Sequence, residues 1–432
     1  MSQTRQVDAP RSRGTGRAAH APRVALALAG GGPLGAIYEI GALCALDDCL
    51  QGLDFNACDH YVGVSAGGFI AAGLANGMTP RQICDAFIAD GEDGGERFDP
   101  ACLMTPAYGE LGHRLAALPG LLGAALWELG VERKPLSSAL ERLGPALPTG
   151  LFSNEDIHRQ LERLLSQPGR SNDFRQLRAR LTLVATHLDS GEAAPFGRPG
   201  WDHVPISRAV QASAALPGLY PPVCIRGHHF VDGALRRTMH ASVALDKGID
   251  LLLGVNPFVP FNASRGGKRP AGLDRLEQGG LPVVLSQTFR TLLQSRVQVG
   301  LEKYARQYPH TDQLVMEPDE DDGEMFFTSV FSYDHRLRVC EYAFRATLKD
   351  LRERREALAP LFARHGLRLR DEVLDAPGLS ILDGVGPHRH RTETTARLAR
   401  SLDELEARLR EESRPRGGRR PRPRKAARAL DG

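Results

Sequence analysis

The sequence predicts an α/β protein built around a mainly parallel sheet. Three observations carry that expectation. Short apolar runs alternate with helical patterns along most of the chain. A glycine-rich turn follows the first run, and a Gly-x-Ser-x-Gly turn follows the second.

The elements follow in order. Val24-Ala-Leu-Ala-Leu-Ala29 reads as a buried strand, which Gly30-Gly-Gly-Pro-Leu-Gly35 interrupts. Pro33 suits the first turn of a helix, where its missing amide is not needed, and Ile37, Ile40, Leu43, Cys44 and Leu46 follow at helical spacing. A second strand, His60-Tyr-Val-Gly-Val64, ends at Ser65, and small residues through Gly77 suit a helix packed closely on a sheet. Residues 91–150 are weakly patterned and read as an insertion or lid. Within it, 115–129 with Trp127 is either a lipid-facing flap or a buried core helix. Strand character returns at Leu181–Ala185, His229–Val231, Ile249–Val255 and Gln313–Met316, with helices over about 281–308 and 334–364.

Composition excludes several classes. At 42% hydrophobic and 25% charged, the 432 residues are those of a globular chain that can bury a core without staples. The seven scattered cysteines include no Cys-x-x-Cys, which argues against a disulfide framework and against structural zinc and points to a reducing cytosol. The first 23 residues carry Arg5, Arg11, Arg13, Arg17 and Arg23 without an apolar core, so they are not a secretory signal, and no apolar run is long enough to span a membrane. A cytoplasmic location follows, with at most peripheral membrane contact.

Charge is divided along the chain. Both ends are basic and the stretch between them is net acidic. The Pro/Arg/Gly segment Arg414–Lys425 cannot bury a core and reads as a solvated tail; contact with anionic lipid is open to it, and nucleic acid is not an expected partner. The expected organisation is a disordered tail at 1–23, a folded domain at 24–375, a linker and amphipathic helix at 376–412, and a second disordered tail at 413–432. Leu398, Leu402, Leu405 and Leu409 form the stripe of that helix. The acidic stretch Glu317–Glu324 fails the calcium-loop pattern, with Pro318 and Ser329 at ligand positions, and reads as a solvated loop.

Chemistry concentrates in three segments. Gly63-Val-Ser65-Ala-Gly67 has the spacing of a nucleophile elbow, in which serine sits on a sharp strand-to-helix turn and glycines let the backbone pass. The helix behind such a serine offers free amides and positive partial charge. Gly30, Gly31 and Gly32 can present consecutive amides to a developing oxyanion. The rival is a dinucleotide fingerprint, Gly30-x-Gly32-x-x-Gly35, with Asp54 as its acidic partner; yet Asp54 and Asp59 precede the second strand instead of closing it. Asp232-Gly233, after a short apolar run, supplies a base or a plain turn. A triad of Ser65, Asp232 and His240 is also permitted by chain order.

Taken together, the glycine-rich amides, Gly-x-Ser-x-Gly and Asp232-Gly233-Ala234, each at a strand end, resemble the patatin-like phospholipase family from about Val24 to at least Val255. Thr186–Glu192 and Ala212–Pro222 extend the likeness. The resemblance implies a three-layer α/β/α fold and a lipid acyl hydrolase. It makes Ser65 the nucleophile, Asp232 its base, and the amides of Gly30, Gly31, Gly32 and Ala66 the oxyanion hole. Gly35, Gly63, Gly67 and Gly233 would support the turns. It implies no metal and no cofactor, a lipid or other acyl-ester substrate, and peripheral contact with a membrane or lipid granule. The family often has Arg or Lys where this chain has Leu34, which weakens any expectation about anionic head groups. A lipid-binding protein without catalysis is the alternative from another class.

Overall fold

The structure is a computed structural model and describes residues 22–88, 98–130, 141, 143–265, 275–320, 323 and 336–381. The basic ends up to residue 21 and beyond 412, the Leu398–Leu409 stripe and parts of 91–150 lie outside these residues. Among the described residues there are ten strands: β1 (Val24–Leu28), β2 (Leu50–Gln51), β3 (His60–Val64), β4 (Arg180–His187), β5 (Ala193–Phe196), β6 (Val223–Ile225), β7 (His228–Asp232), β8 (Leu251–Val255), β9 (Asp312–Met316) and β10 (Arg368–Leu369). The helices used below are α1 (Gly32–Cys49), α2 (Ala66–Ala75), α3 (Pro80–Phe87), α4 (Tyr108–Gly130), α5 (Glu155–Leu165), α6 (Ile206–Ser213), α7 (Ser242–Leu245), α8 (Gly280–Gln307) and α9 (Arg336–Glu353).

Eight strands form one mixed sheet in the order β6-β7-β4-β3-β1-β8-β9, with β5 on β4. The centre, from β4 to β9, is parallel, as the alternation of strand and helix predicts. Strands β5, β6 and β7 join antiparallel and make the sheet less uniform than expected. The short strands β2, β5, β6 and β10 and the helices α3, α5 and α6 are additions to the elements expected from the sequence, although Ile157, Leu161, Leu164 and Leu165 of α5 do stand at helical spacing.

Strand β1 shows why the fold has three layers. Side chains alternate across a sheet. Val24, Leu26 and Leu28 face a large cluster shared with α1, α2 and α9, whereas Ala25, Ala27 and Ala29 face a smaller one shared with α7 and Tyr304 of α8. Each face is thus covered by helices, which is the α/β/α arrangement. The α4 helix differs. Leu115, Leu122, Leu126 and Trp127 are exposed on it, so it is not the buried core helix that the sequence leaves open. Among the described residues no helix is long and apolar enough to cross a membrane, and no group of three His, Cys, Asp or Glu could hold a metal ion.

One topological detail positions everything that follows. Leu183 and Val184 of β4 pair with both β3 and β5, so these two lie on opposite edges. Ala185 and Thr186 pair with both β5 and β7, which puts β7 on the same edge as β3. The two strands run toward each other, and their C-terminal ends meet, Val64 opposite Val184 and Asp232 opposite Ala185.

The packing of α1 on α9 yields a test. A Cβ built at Gly41 would lie 2.3 Å from the Cys340 carbonyl oxygen and 2.8 Å from the Ala343 Cβ. Gly41→Ala is expected to overpack this contact and cost about 1–3 kcal/mol, read as a lower urea midpoint. An unchanged midpoint would show that the two helices can separate without loss.

Candidate active site

Ser65 occupies the sharp turn between β3 and α2, with φ 51° and ψ −122°. A non-glycine residue rarely holds such a conformation, and the neighbours enforce it. The Ser65 N–H donates to Ser213 Oγ at 2.8 Å, and that hydroxyl in turn donates to the Val184 carbonyl at 2.6 Å. Ser213, at the end of α6, therefore ties the elbow to β4. The turn also needs closely approaching backbones. A Cβ at Gly67 would sit 2.6 Å from the Leu28 carbonyl, and one at Gly63 would sit 2.7 Å from the Gly68 Cα.

The hydroxyl of Ser65 donates to Asp232 Oδ2 at 2.6 Å. Asp232 Oδ1 accepts the Ala234 N–H at 2.8 Å, and its backbone is held by Thr186 Oγ1 at 3.1 Å and by the Ala215 carbonyl at 2.9 Å. Both side chains are buried, Ser65 at 6% and Asp232 at 3% exposure. Burial raises the Asp232 pKa from 3.8 to about 6, against the opposing hydrogen bonds from Ser65 and Ala234. A carboxylate of that basicity is better matched to accepting a proton near neutral pH than an ordinary aspartate.

The glycine turn lies against this pair. A Cβ at Gly30 would approach the Ser65 Cβ to 3.2 Å, so only glycine leaves the nucleophile room. The Gly30 N–H donates to the Thr238 carbonyl at 3.2 Å. That bond occupies the first of the expected oxyanion donors and leaves Gly31, Gly32 and Ala66. Gly32 has φ 63°, and it and Ala66 open α1 and α2, where an N–H has no carbonyl one turn earlier. Gly31 and Gly35 pack on Pro257, and Gly233 lies so near the Val184 carbonyl that a Cβ would reach 2.0 Å from its oxygen.

The remaining sequence candidates separate. His240 is buried, with its pKa lowered by burial to about 4, and its Nε2 meets the Gly233 carbonyl at 3.3 Å instead of Asp232, both of whose oxygens are occupied. His187 and His228 meet each other at 3.1 Å on the exposed end of β4 and β7. Asp54 accepts the Asn56 N–H within its own turn and does not close a strand. Leu34 is 1% exposed and belongs to the core, so this position contributes packing. The seven cysteines are free. Ser213 is the residue that sequence reasoning passed over; its only signal was its place in Ala212–Pro222, two residues before the Ala215 carbonyl that holds Asp232.

A buried serine–carboxylate pair thus stands on a strained elbow, beside two helix N-termini in an α/β/α sandwich. The match to the family model described as patatin-like phospholipase covers residues 26–245, and the chain belongs to that family. Family membership supports a lipid hydrolase function. Solved structures similar to the chain include VipD from Legionella pneumophila, 15% identical over 91% of this chain and 78% of that one, with a TM-score of 0.36. The type III effector ExoU of Pseudomonas aeruginosa is 14% identical over 77% of this chain, with a TM-score of 0.31, and this chain spans 53% of it. Human GIVD cytosolic phospholipase A2, in complex with methyl gamma-linolenyl fluorophosphonate, is 12% identical over 78% of this chain and 59% of that one, with a TM-score of 0.29.

Two outcomes follow from this geometry. Ser213→Ala leaves the Ser65 amide without its buried acceptor and is expected to cost about 1–3 kcal/mol of stability, checked by urea denaturation, with a lower turnover number at unchanged KM. The second concerns Asp232. Its folded pKa of about 6 exceeds the ordinary 3.8, so the folded chain keeps a proton that the unfolded chain releases in that window. Stability is therefore lost as pH rises from about 4 to 6, by about 3 kcal/mol. Asp232→Asn should raise the melting temperature at pH 8 and leave it unchanged near pH 4. A variant equally or less stable at pH 8 would contradict this.

Proposed function

We propose that the protein is a serine acyl hydrolase that cleaves carboxylic ester bonds of lipids with a Ser65–Asp232 dyad. The observation that carries this reading is the 2.6 Å hydrogen bond from the Ser65 hydroxyl to a buried carboxylate whose pKa is raised to about 6. Serine is a poor nucleophile unless its proton has an acceptor during attack. Asp232 takes that proton as Ser65 Oγ bonds to the ester carbonyl carbon. The carbonyl oxygen gains the negative charge, and the amides of Gly31, Gly32 and Ala66 stabilise it. Collapse of this intermediate breaks the ester C–O bond, and protonated Asp232 returns its proton to the departing alkoxide. Asp232 then accepts a proton from water, whose oxygen attacks the acyl-enzyme. The second intermediate releases the fatty acid, and Ser65 regains its proton.

The competing triad receives no support from the contacts of His240, which point away from the pair. Substrate recognition by an anionic head group at position 34 is likewise unsupported, because Leu34 is buried. The ester itself is recognised by backbone donors, so the chemistry does not depend on that position.

The dyad is tested by labelling and kinetics together. A fluorophosphonate probe should label the wild-type chain and leave Ser65→Ala unlabelled; label on the variant would remove Ser65 from the mechanism, and a wild type that never reacts would favour a lipid-binding protein without catalysis. Asp232→Asn should lower kcat on a soluble ester by about 100-fold or more, the lower range for general-base catalysis. His240→Gln, in a folded variant, should cost less than about tenfold.

The pH profile carries its own sign. The base must be unprotonated in the free enzyme, so kcat/KM should be level above pH 6 and fall about tenfold per unit below it. A profile still level at pH 5 would overturn the raised pKa.

A further inference from the structure

We propose that the exposed face of α8, with the loop after Asp232, is a docking surface for an anionic lipid bilayer. The proposal rests on the lipid-ester reading, since it names the surface from which such a substrate is drawn.

Two features of α8 converge. Leu281, Leu285, Leu292 and Val299 are each more than half exposed. At 3.6 residues per turn they fall within about 40° of one another around the helix, and Arg296 and Lys303 fall within about 60° of the same line. A long helix with one exposed apolar stripe marks an interaction face, because an isolated exposed leucine is ordinary but a row of them is not. Beside the stripe, a cavity of about 330 Å³ opens between α8 and residues 236–240, lined by Arg236, Arg237, Arg296 and Lys303.

These four cations outnumber the carboxylates beside them. Among the described residues none of them is ion-paired with a carboxylate. Of the nearby acids, Glu302 pairs with Arg306 at 3.7 Å, and Asp246 accepts the Tyr308 hydroxyl and keeps its charge, one carboxylate against four cations. Arg296 is held in place by the Leu235 carbonyl at 2.6 Å and Arg236 by the Gly191 carbonyl, contacts that orient a guanidinium without cancelling its charge. Four like charges around one opening repel one another and favour an anion between them. A soluble anion would fill the cavity but leave the apolar stripe in water. An anionic bilayer satisfies both, with phosphates at the cations and the stripe at the headgroup–acyl boundary. The surface is also joined to the glycine turn, since Thr238 lines the cavity and its carbonyl accepts the Gly30 N–H.

The test is cosedimentation of the full chain with vesicles at low salt. Wild type is expected to bind vesicles of phosphatidylcholine containing phosphatidylglycerol and not pure phosphatidylcholine. The double variant Arg296→Glu with Lys303→Glu should lose at least about tenfold in affinity, and Leu285→Ser with Leu292→Ser should also weaken binding. Both pairs are surface positions, and circular dichroism with retained soluble-ester hydrolysis establishes that each variant is folded. Ser65→Ala should bind vesicles like wild type, which separates this proposal from the catalytic reading. Undiminished binding by the charge-reversed chain would place membrane contact elsewhere and overturn the proposal. So would equal binding to pure phosphatidylcholine, or light scattering that shows the α8 face covered by a second copy of the chain.

Discussion

The site depends on two strands of opposite direction ending against the same edge of β4. Val64 and Asp232 pair with consecutive β4 residues, Val184 and Ala185. The residue just past β3 and the last residue of β7 are thereby held side by side, and these are Ser65 and Asp232. Ser213 Oγ and the Ala215 carbonyl add a second hold on the two backbones. Strand ladders fix both, so the 2.6 Å hydrogen bond between them costs little additional ordering. The antiparallel intrusion of β7 into an otherwise parallel centre is the feature that makes a two-residue site feasible.

The elbow is retained by crowding rather than by any single strong bond. Its backbone sits in a sparsely populated conformation at Ser65, and the glycines around it allow backbones to approach where a Cβ would collide. Gly67 packs on the last residues of β1, Gly63 on the start of α2, and Gly233 on the Val184 carbonyl. Val184 is thus shared. Its carbonyl accepts the Ser213 hydroxyl that anchors Ser65, and it also lies against the glycine that follows Asp232. Disturbance at either half of the pair is transmitted to the other through one peptide group.

Burial works in two directions here. It raises the basicity of Asp232, which suits proton transfer, and it makes the charged form of that residue unfavourable to the fold. The same burial pushes His240 toward its neutral form and gives it a backbone partner, so that it braces the turn after Asp232. A fold that kept Asp232 in water would be more stable at neutral pH and would have a weaker base.

Much of this was legible in the sequence because it is local. The apolar run before Gly30, the small residues after Ser65 and the Pro33 helix start follow from side-chain volume and backbone freedom within a few positions, and β1, α1, β3 and α2 lie where those signals put them. Gly-x-Ser-x-Gly marks the elbow because a sharp turn demands glycine whatever surrounds it. The strands β5 and β6, the antiparallel direction of β7, the role of Ser213 and the engagement of Gly30 by Thr238 were not legible. Each depends on partners far apart in the chain, 148 residues in the case of Ser65 and Ser213. Local composition states that a serine sits on a sharp turn and that an aspartate closes a strand. Only the packing of β3 and β7 on one edge of β4 decides that the two share a hydrogen bond, because register between distant strands is a property of the folded sheet and leaves no period in the sequence.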